Sequence, residues 1–436
     1  MSKNYPQIPD FHKLVDEFSE YIRLKHEYGA GNIEETIKSA EILLEQFIEK
    51  VKALENDKIL ERKEPDGYNE IQALCPKGHS RLWDKFKDEE YEDKLKGALY
   101  ARLAGCILGS IVEFWPINEM KEWAEQIGDE FPPVDYWSKA KNEDLVRYNI
   151  SKCKEYTRAS MNGVAADDDI IYTLLGLLIA EDYGVDFSVE DVGEAWLKYL
   201  PYACTAEDVA LRNLKNGIPA KDAADIGNPY CQWIGADIRS DSWAYMAPGY
   251  PEKAAEMAYN DAYISHRRNG IYGEMFFSAA QSAAFAVNDP LEAIRIGLTE
   301  IPAECSLAKD VKWALEKAPR IKDYRQAREA VDEYFKGMSA VHANNNACLT
   351  IFGLAIGGTD VTKVISQTVA MGMDNDCTAA TAGSIVGSVA GFQNIPKHWY
   401  RNFNNKIYSY LNGHEEFEID DVLKRFKKQA TKVFNK

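Results

Sequence analysis

An all-α fold is what this sequence predicts, and three observations carry the expectation. Ile33, Ile37, Ala40, Leu44, Phe47, Val51 and Leu54 step by four and three, which marks one apolar face of a helix. From about Tyr91 onward, similar helical patterns follow one another along the chain. Runs of alternating Val, Ile and Tyr bounded by turn dipeptides are missing, so no strand is expected.

Taken in order, Phe11, Leu14, Val15, Phe18 and Ile22 form a first apolar stripe. The turn "YGAGN" then folds it against the second, giving a helical hairpin over the first 55 residues, read as a packing accessory to the main body. Residues 55–80, "ENDKILERKEPDGYNEIQALCPKGHS", mix charge with Pro and Gly and show no period, as a linker does. The expected division is therefore residues 1–85, hairpin and linker, and residues 86–436, a larger all-α domain. Its helices are foreshadowed by "YEDKLKGALYARLAGCILG", "DIIYTLLGLLIAEDYG", "VEDVGEAWLKYL", "PEKAAEMAYNDAYISHRR", "GEMFFSAAQSAAFAV", "DPLEAIRIGLTEI" and "DVTKVISQTVAMG". After them, Cys377 to Pro396 carries no charge, and Gly383, Gly387 and Gly391 recur every four residues. On a helix that spacing lines one edge where a second backbone can approach closely, so this segment reads as buried.

Composition narrows the partners. The 436 residues are 46% hydrophobic and 28% charged, values of an ordinary globular protein. A formal charge of -18 argues against nonspecific attraction to nucleic acid or to anionic membrane surfaces. The cysteines at 75, 106, 153, 204, 231, 305, 348 and 377 form no CxxC pair, as expected of reduced thiols. Without a signal-like N-terminus or a long apolar run, a cytoplasmic location is expected.

Three acidic features share a grammar. "VAADDDIIYTLLGLL" sets Asp167, Asp168 and Asp169 at the mouth of an apolar helix, and "MGMDNDCTAA" repeats the design with Asp374 and Asp376. "AGCILGSIVEFWP" places Glu113 after Gly105 and Gly109 in an apolar, aromatic setting. Helix capping explains one carboxylate at a helix start. It does not explain three in a row, which repel one another, with a second acidic pair at another buried helix mouth. Together they favour a shared cation, and oxygen-only ligands point to Mg²⁺ or Mn²⁺.

Other chemistries lack their signatures: there is no HExxH, no Walker A loop and no GxSxG elbow. "SHRRNGIYGE" gathers His266, Arg267, Arg268, Asn269 and Tyr272 around glycines, and its amides and cations suit a diphosphate. His266 is read equally well as a structural residue. Asn344, Asn345 and Asn346 read as caps. Phe114, Trp115, Trp233 and Tyr272 are candidates to stack on a base or simply to fill the core.

In this order, the three acidic motifs resemble those of the ADP-ribosylglycohydrolase family, which includes the dinitrogenase-reductase-activating glycohydrolases. The correspondence runs from about Lys94 to Gly391. The family's Gly-rich helix ending in Glu matches "GCILGSIVEF", its Thr-Asp-Asp-Thr helix start matches "DDDI" at 167–170, and its Asp-x-Asp-Thr matches "DNDC" at 374–377. The resemblance implies a compact orthogonal multi-helix globule, here with an N-terminal helical extension, holding two Mg²⁺ or Mn²⁺ ions that bind the ribose hydroxyls of an ADP-ribosyl group. It implies Asp168, Asp169, Asp374 and Asp376 as metal ligands, Glu113 as a ligand or the activator of water, and Asp168 beside Glu113 in catalysis. The central segment, similar to the family's histidine region, supplies His266, Asn269, Gly270, Tyr272 and Gly273 as substrate-binding residues.

Two departures from the family pattern bear on the metals. Asp167 replaces a Thr and adds a carboxylate that can ligate directly, whereas Cys377 replaces the Thr that helps hold the second ion. A neutral thiol is a poor ligand for Mg²⁺, so the second ion is expected to be held weakly or through the backbone of Cys377. Ile170 removes a further hydroxyl. The leading expectation is a metal-dependent hydrolase cleaving an N- or O-glycosidic bond to ADP-ribose, or a related ribosyl group, on a protein or small molecule. Two alternatives stand beside it: a catalytically silent, crystallin-like binding relative, and a two-metal phosphohydrolase.

Overall fold

Backbone-on-backbone packing of two helices organises the centre of the protein. In the computed structural model, which describes residues 5–78 and 81–435, the helix Asp88–Ser110 lies against the helix Asn375–Ala390. Glycines on both make the approach possible. A Cβ added to Gly105 would lie 2.1 Å from the carbonyl oxygen of Ala379, and one added to Gly387 would lie 2.3 Å from that of Gly97. Gly383 likewise faces the carbonyl of Ala101. Gly391, third in the four-residue series, instead ends the helix with φ 77°, a conformation that suits residues without a Cβ. At the opposite end of the pair, Gly109 abuts the backbone of Asp376. Glu113 follows one turn later, so the glycine register itself brings Glu113 beside the 374–376 acids.

The remaining helices build outward from this pair, nineteen α-helices among the described residues. Arg102, fully buried on the Asp88–Ser110 helix, ties the next layer to it. Its guanidinium donates to Thr173 Oγ1 at 3.0 Å and to the carbonyls of Asp169 and Ile238. It also pairs with Asp241. The start of the Asp168–Tyr183 helix and the 3-10 turn Ile234–Arg239 are thereby fixed to the central helix. A second buried arginine, Arg239, is surrounded by Glu207, Asp261 and Glu274.

Contrary to the expectation of no strand, two antiparallel hairpins occur: Val146–Arg147 with Ser151–Lys152, and Lys406–Leu411 with His414–Glu418. The second turns through Asn412-Gly413, with Gly413 at φ 73°. An Asn-Gly dipeptide between pairing runs is a strong short-range hairpin signal, and "KIYSYLNGHEEFEI" carries it.

The N-terminal region also departs from its reading. Helices Phe11–Glu27 and Ile33–Lys52 form, but neither contributes a buried residue, so their apolar stripes pack nothing away. The stretch read as a linker carries short helices, Lys58–Lys63 and Tyr68–Leu74, and its Ile71 is fully buried. Asn344–Asn346 lie inside the helix Ala343–Gly357, whose N-cap is His342; Asn344 reaches Asp310, and the other two bond to preceding carbonyls.

Candidate metal centre

Helix starts and a loop deliver the acids to one place. Asp167 is the N-cap of the Asp168–Tyr183 helix, and its Oδ1 accepts from the Asp169 amide at 3.2 Å. Its Oδ2 accepts from Ser110 Oγ at 2.9 Å. Asp374 occupies the N-cap position of the Asn375–Ala390 helix, yet its side chain makes no capping bond. Capping therefore accounts for one carboxylate of the set, as the sequence reading argued that it could not account for all.

Glu113, Asp374 and Asp376 each present an oxygen within 4.8 Å of the others, and so do the carboxylates of Asp167 and Asp169 with the thiol of Cys106. Phe114 and Met373, next to Glu113 and Asp374, both adopt left-handed backbone at φ 61°, and the Phe114 amide donates to the Met373 carbonyl at 3.0 Å. Such conformations cost of order 1–3 kcal/mol each for non-glycine residues. Their pairing locks the two acid-bearing segments together. Glu113, Asp168, Asp169, Asp374 and Cys377 line a cavity of about 410 Å³, walled by Phe114, Tyr172, Trp233 and Val341. That size falls within the usual range for small-molecule sites.

Electrostatically the cluster is unfavourable as it stands. Burial first, and then the charges of neighbouring carboxylates, push Asp169, Asp374 and Asp376 well above the ordinary carboxylate range. Asp168 is pushed up to about 7, by burial and next by Asp167. Glu113 is raised by burial, opposed by Arg147. Asp169 Oδ1 is buried without a hydrogen-bond partner among the described residues. Hard oxygen donors, mutual repulsion and an unpartnered buried oxygen are together what a divalent cation would relieve. The residues present fit such an ion.

The sequence profile of the ADP-ribosylglycohydrolase family matches residues 87–431. The chain belongs to the ADP-ribosylglycohydrolase family. Among solved structures, one described as an ADP-ribosylglycohydrolase-related protein complex superposes with a TM-score of 0.52 at 16% identity, covering 79% of this chain and 99% of that one. At that identity the likeness concerns the fold, which is all-α in both the expectation and the structure. No curated protein sequence matches. Family membership supports a glycohydrolase, and the acidic groups are able to bind metal.

In this family member the three motifs converge, but the central segment lies elsewhere. None of His266, Asn269, Gly270, Tyr272 and Gly273 lines the acidic cavity. His266 is fully buried, its Nδ1 2.8 Å from Ser265 Oγ, and burial lowers its pKa so that it stays neutral. Asn269 donates to Glu64 at 3.1 Å and Gln232 at 2.9 Å, and the Tyr272 hydroxyl donates to the Pro65 carbonyl. The segment's polar groups are thus engaged by residues 64–66, about 200 positions earlier, within the stretch expected to be a linker. A Cβ on Gly270 would meet the Cys231 carbonyl at 2.4 Å, and one on Gly273 would meet Asp237 at 2.0 Å. Asp237 is buried with no partner on either carboxylate oxygen among the described residues, and its charge acts on Cys377. Of the four aromatics, Phe114 and Trp233 line the cavity, whereas Trp115 and Tyr272 do not.

The departures from the family pattern also gain physical content. The Cys377 thiol is buried and held neutral by burial and surrounding acids, which leaves it a weak donor for a hard ion. Ile170 packs in the core. Residues the sequence reading missed are Arg147, Tyr148, Cys204, Glu207 and Asp237. Of these, only Asp237 lies near a residue already singled out, Trp233, four positions earlier.

A pH effect follows from Asp168. Its carboxyl rises from 3.8 to about 7 on folding, so between those values the native state holds more proton than the unfolded chain. The associated stability is complete below the unfolded value and is lost as pH rises through about 7. Metal-free protein is therefore expected to show a falling Tm from pH 5 to pH 8 by differential scanning calorimetry. Because metal ligation requires ionised carboxylates, saturating Mn²⁺ should raise Tm more at pH 8 than at pH 5.

Proposed function

We propose that this protein is a divalent-metal-dependent hydrolase that releases ADP-ribose, or a related ribosyl group, by cleaving an N- or O-glycosidic bond on a modified protein or small molecule. The observation that carries the reading is the convergence of Glu113, Asp168, Asp169, Asp374 and Cys377 on one small-molecule-sized cavity, with Asp167 and Asp376 buried against it. Asp168, Asp169, Asp374 and Asp376 would hold Mg²⁺ or Mn²⁺, with Glu113, Asp167 and Cys377 at the edges of the ligand set. Bound metal would orient the sugar and acidify a coordinated water. Glu113, about a quarter exposed at the cavity wall, would take a proton from water. Asp168, fixed by the Tyr148 hydroxyl, presents negative charge toward an oxocarbenium-like centre. Phe114 and Trp233 offer faces for a base. The five residues at 266–273 would act on substrate through the shape of the wall, with Gly273 behind it against Asp237.

No helix of the described residues is long and apolar enough to cross a membrane. All eight cysteines are free, which supports a reducing compartment such as the cytoplasm. A second reading, a catalytically silent binding relative, draws support from Arg147, whose guanidinium neutralises part of the acid cluster. Incubation with ADP-ribosylated arginine and serine substrates, with and without Mg²⁺ or Mn²⁺, separates them by product. Metal-dependent release of free ADP-ribose is expected. Phosphate or AMP would indicate a phosphohydrolase, and no product from either substrate would favour the silent relative.

A further inference from the structure

We propose that Arg147 permanently fills one cation position of the acidic site, so that this chain takes up one divalent ion where its family's pattern suggests two. The inference rests on reading the site as a metal centre. Arg147 Nη2 lies 2.9 Å from Glu113, 3.4 Å from Asp167 and 3.7 Å from Asp376. These carboxylates come from three segments distant in the chain, and they converge on one guanidinium that is four-fifths buried.

The arginine is held there by construction. It sits at the tip of the Val146–Arg147/Ser151–Lys152 hairpin, where Tyr148 and Asn149 take left-handed backbone at φ 50° and 57°. The Tyr148 hydroxyl donates to Asp168, and its carbonyl accepts from the Tyr202 hydroxyl at 2.6 Å. At the base of the hairpin, Ser151 Oγ accepts from the Ala166 amide at 3.0 Å, one residue before Asp167. The hairpin is therefore pinned beside the first acidic motif at both ends.

This arrangement divides the acids into two sets. Glu113, Asp167 and Asp376 are paired with the guanidinium, whereas Asp168, Asp169 and Asp374 have no ion pair among the described residues. In the second set Asp169 Oδ1 is buried and unpartnered. These three acids line one cavity, and a single dication there would draw on them. A second would have to share Glu113 and Asp376 with a fixed positive charge, and Cys377, a neutral thiol, offers no hard donor to compensate. A guanidinium, always protonated, is a durable substitute for an ion at such a position.

The test is the number of ions bound by the metal-free full-length chain, titrated with Mn²⁺ by isothermal calorimetry and checked by elemental analysis after desalting. The wild type is expected to bind one ion per chain, Arg147→Met two, and Arg147→Lys one. Two ions in the wild type would overturn the proposal while leaving the metal centre intact. One ion in both the wild type and Arg147→Met would also overturn it. No ion in the wild type would overturn the metal-centre reading along with it. The wild-type count stands alone should Arg147→Met fail to fold.

Discussion

Asp374→Ala is expected to lower release of ADP-ribose by about a thousandfold or more while leaving the fold intact. Asp374 lines the cavity, and its side chain neither caps the helix it precedes nor forms an ion pair among the described residues. The structural work at this position is done by the backbone: the Asp374 carbonyl accepts from the Thr378 amide at 3.0 Å. Burial and neighbouring acids already hold its carboxyl well above the usual range, so removing it relieves repulsion in the metal-free protein. Loss of an interaction made to developing charge typically costs 10²–10³ in rate, and loss of a metal ligand adds to that. Unchanged circular dichroism, an equal or higher metal-free Tm, and a diminished rise of Tm with Mn²⁺ should accompany the lost activity. Full turnover would remove Asp374 from the assignment.

Gly105→Ala is expected to destabilise the protein by about 3 kcal/mol or more, at the upper end of overpacking costs. The new Cβ would lie 2.1 Å from the Ala379 carbonyl oxygen. The obstacle is backbone on a buried helix, which cannot swing aside as a side chain can. The two central helices would have to separate or slide, and their register sets the spacing of Glu113 from Asp374 and Asp376. Folded Gly105→Ala is accordingly expected to bind Mn²⁺ more weakly as well. Gly31→Ala, where an added Cβ meets nothing, is the control and should leave urea and thermal melts unchanged.

What the sequence disclosed depended on how local the cause was. The Gly383–Gly387 spacing announced a close helix contact because the period lies within one helix; its partner glycines at 97, 105 and 109 were visible only as a second such series. The acidic motifs were legible because several carboxylates at apolar helix mouths are hard to explain by capping alone. The hairpin around Asn412-Gly413 was also written locally and was passed over, since helical periodicity dominated the flanking chain. Arg147 could not be read in this way. Its three partners lie 20 or more residues away on either side, and nothing in "NEDLVRYNISK" points to them. In the 266–273 segment the polar residues and glycines suit an anion, while Glu64, Pro65 and Asp66, far away in the chain, engage Arg268, Asn269 and Tyr272. Chemistry visible in a segment names what it can bind, while folding decides which partner reaches it.

Acids from two segments distant in the chain, Asp168–Asp169 and Asp374, are expected to cradle one divalent ion in the cavity they line. Anomalous diffraction from crystals of the full-length protein soaked in Mn²⁺ tests it most directly. The account predicts a manganese peak ligated by carboxylate oxygens of Asp374 and the Asp168–Asp169 pair at about 2.0–2.5 Å. Saturating Mn²⁺ with no peak in that cavity, or with peaks confined to surface carboxylates, would contradict it.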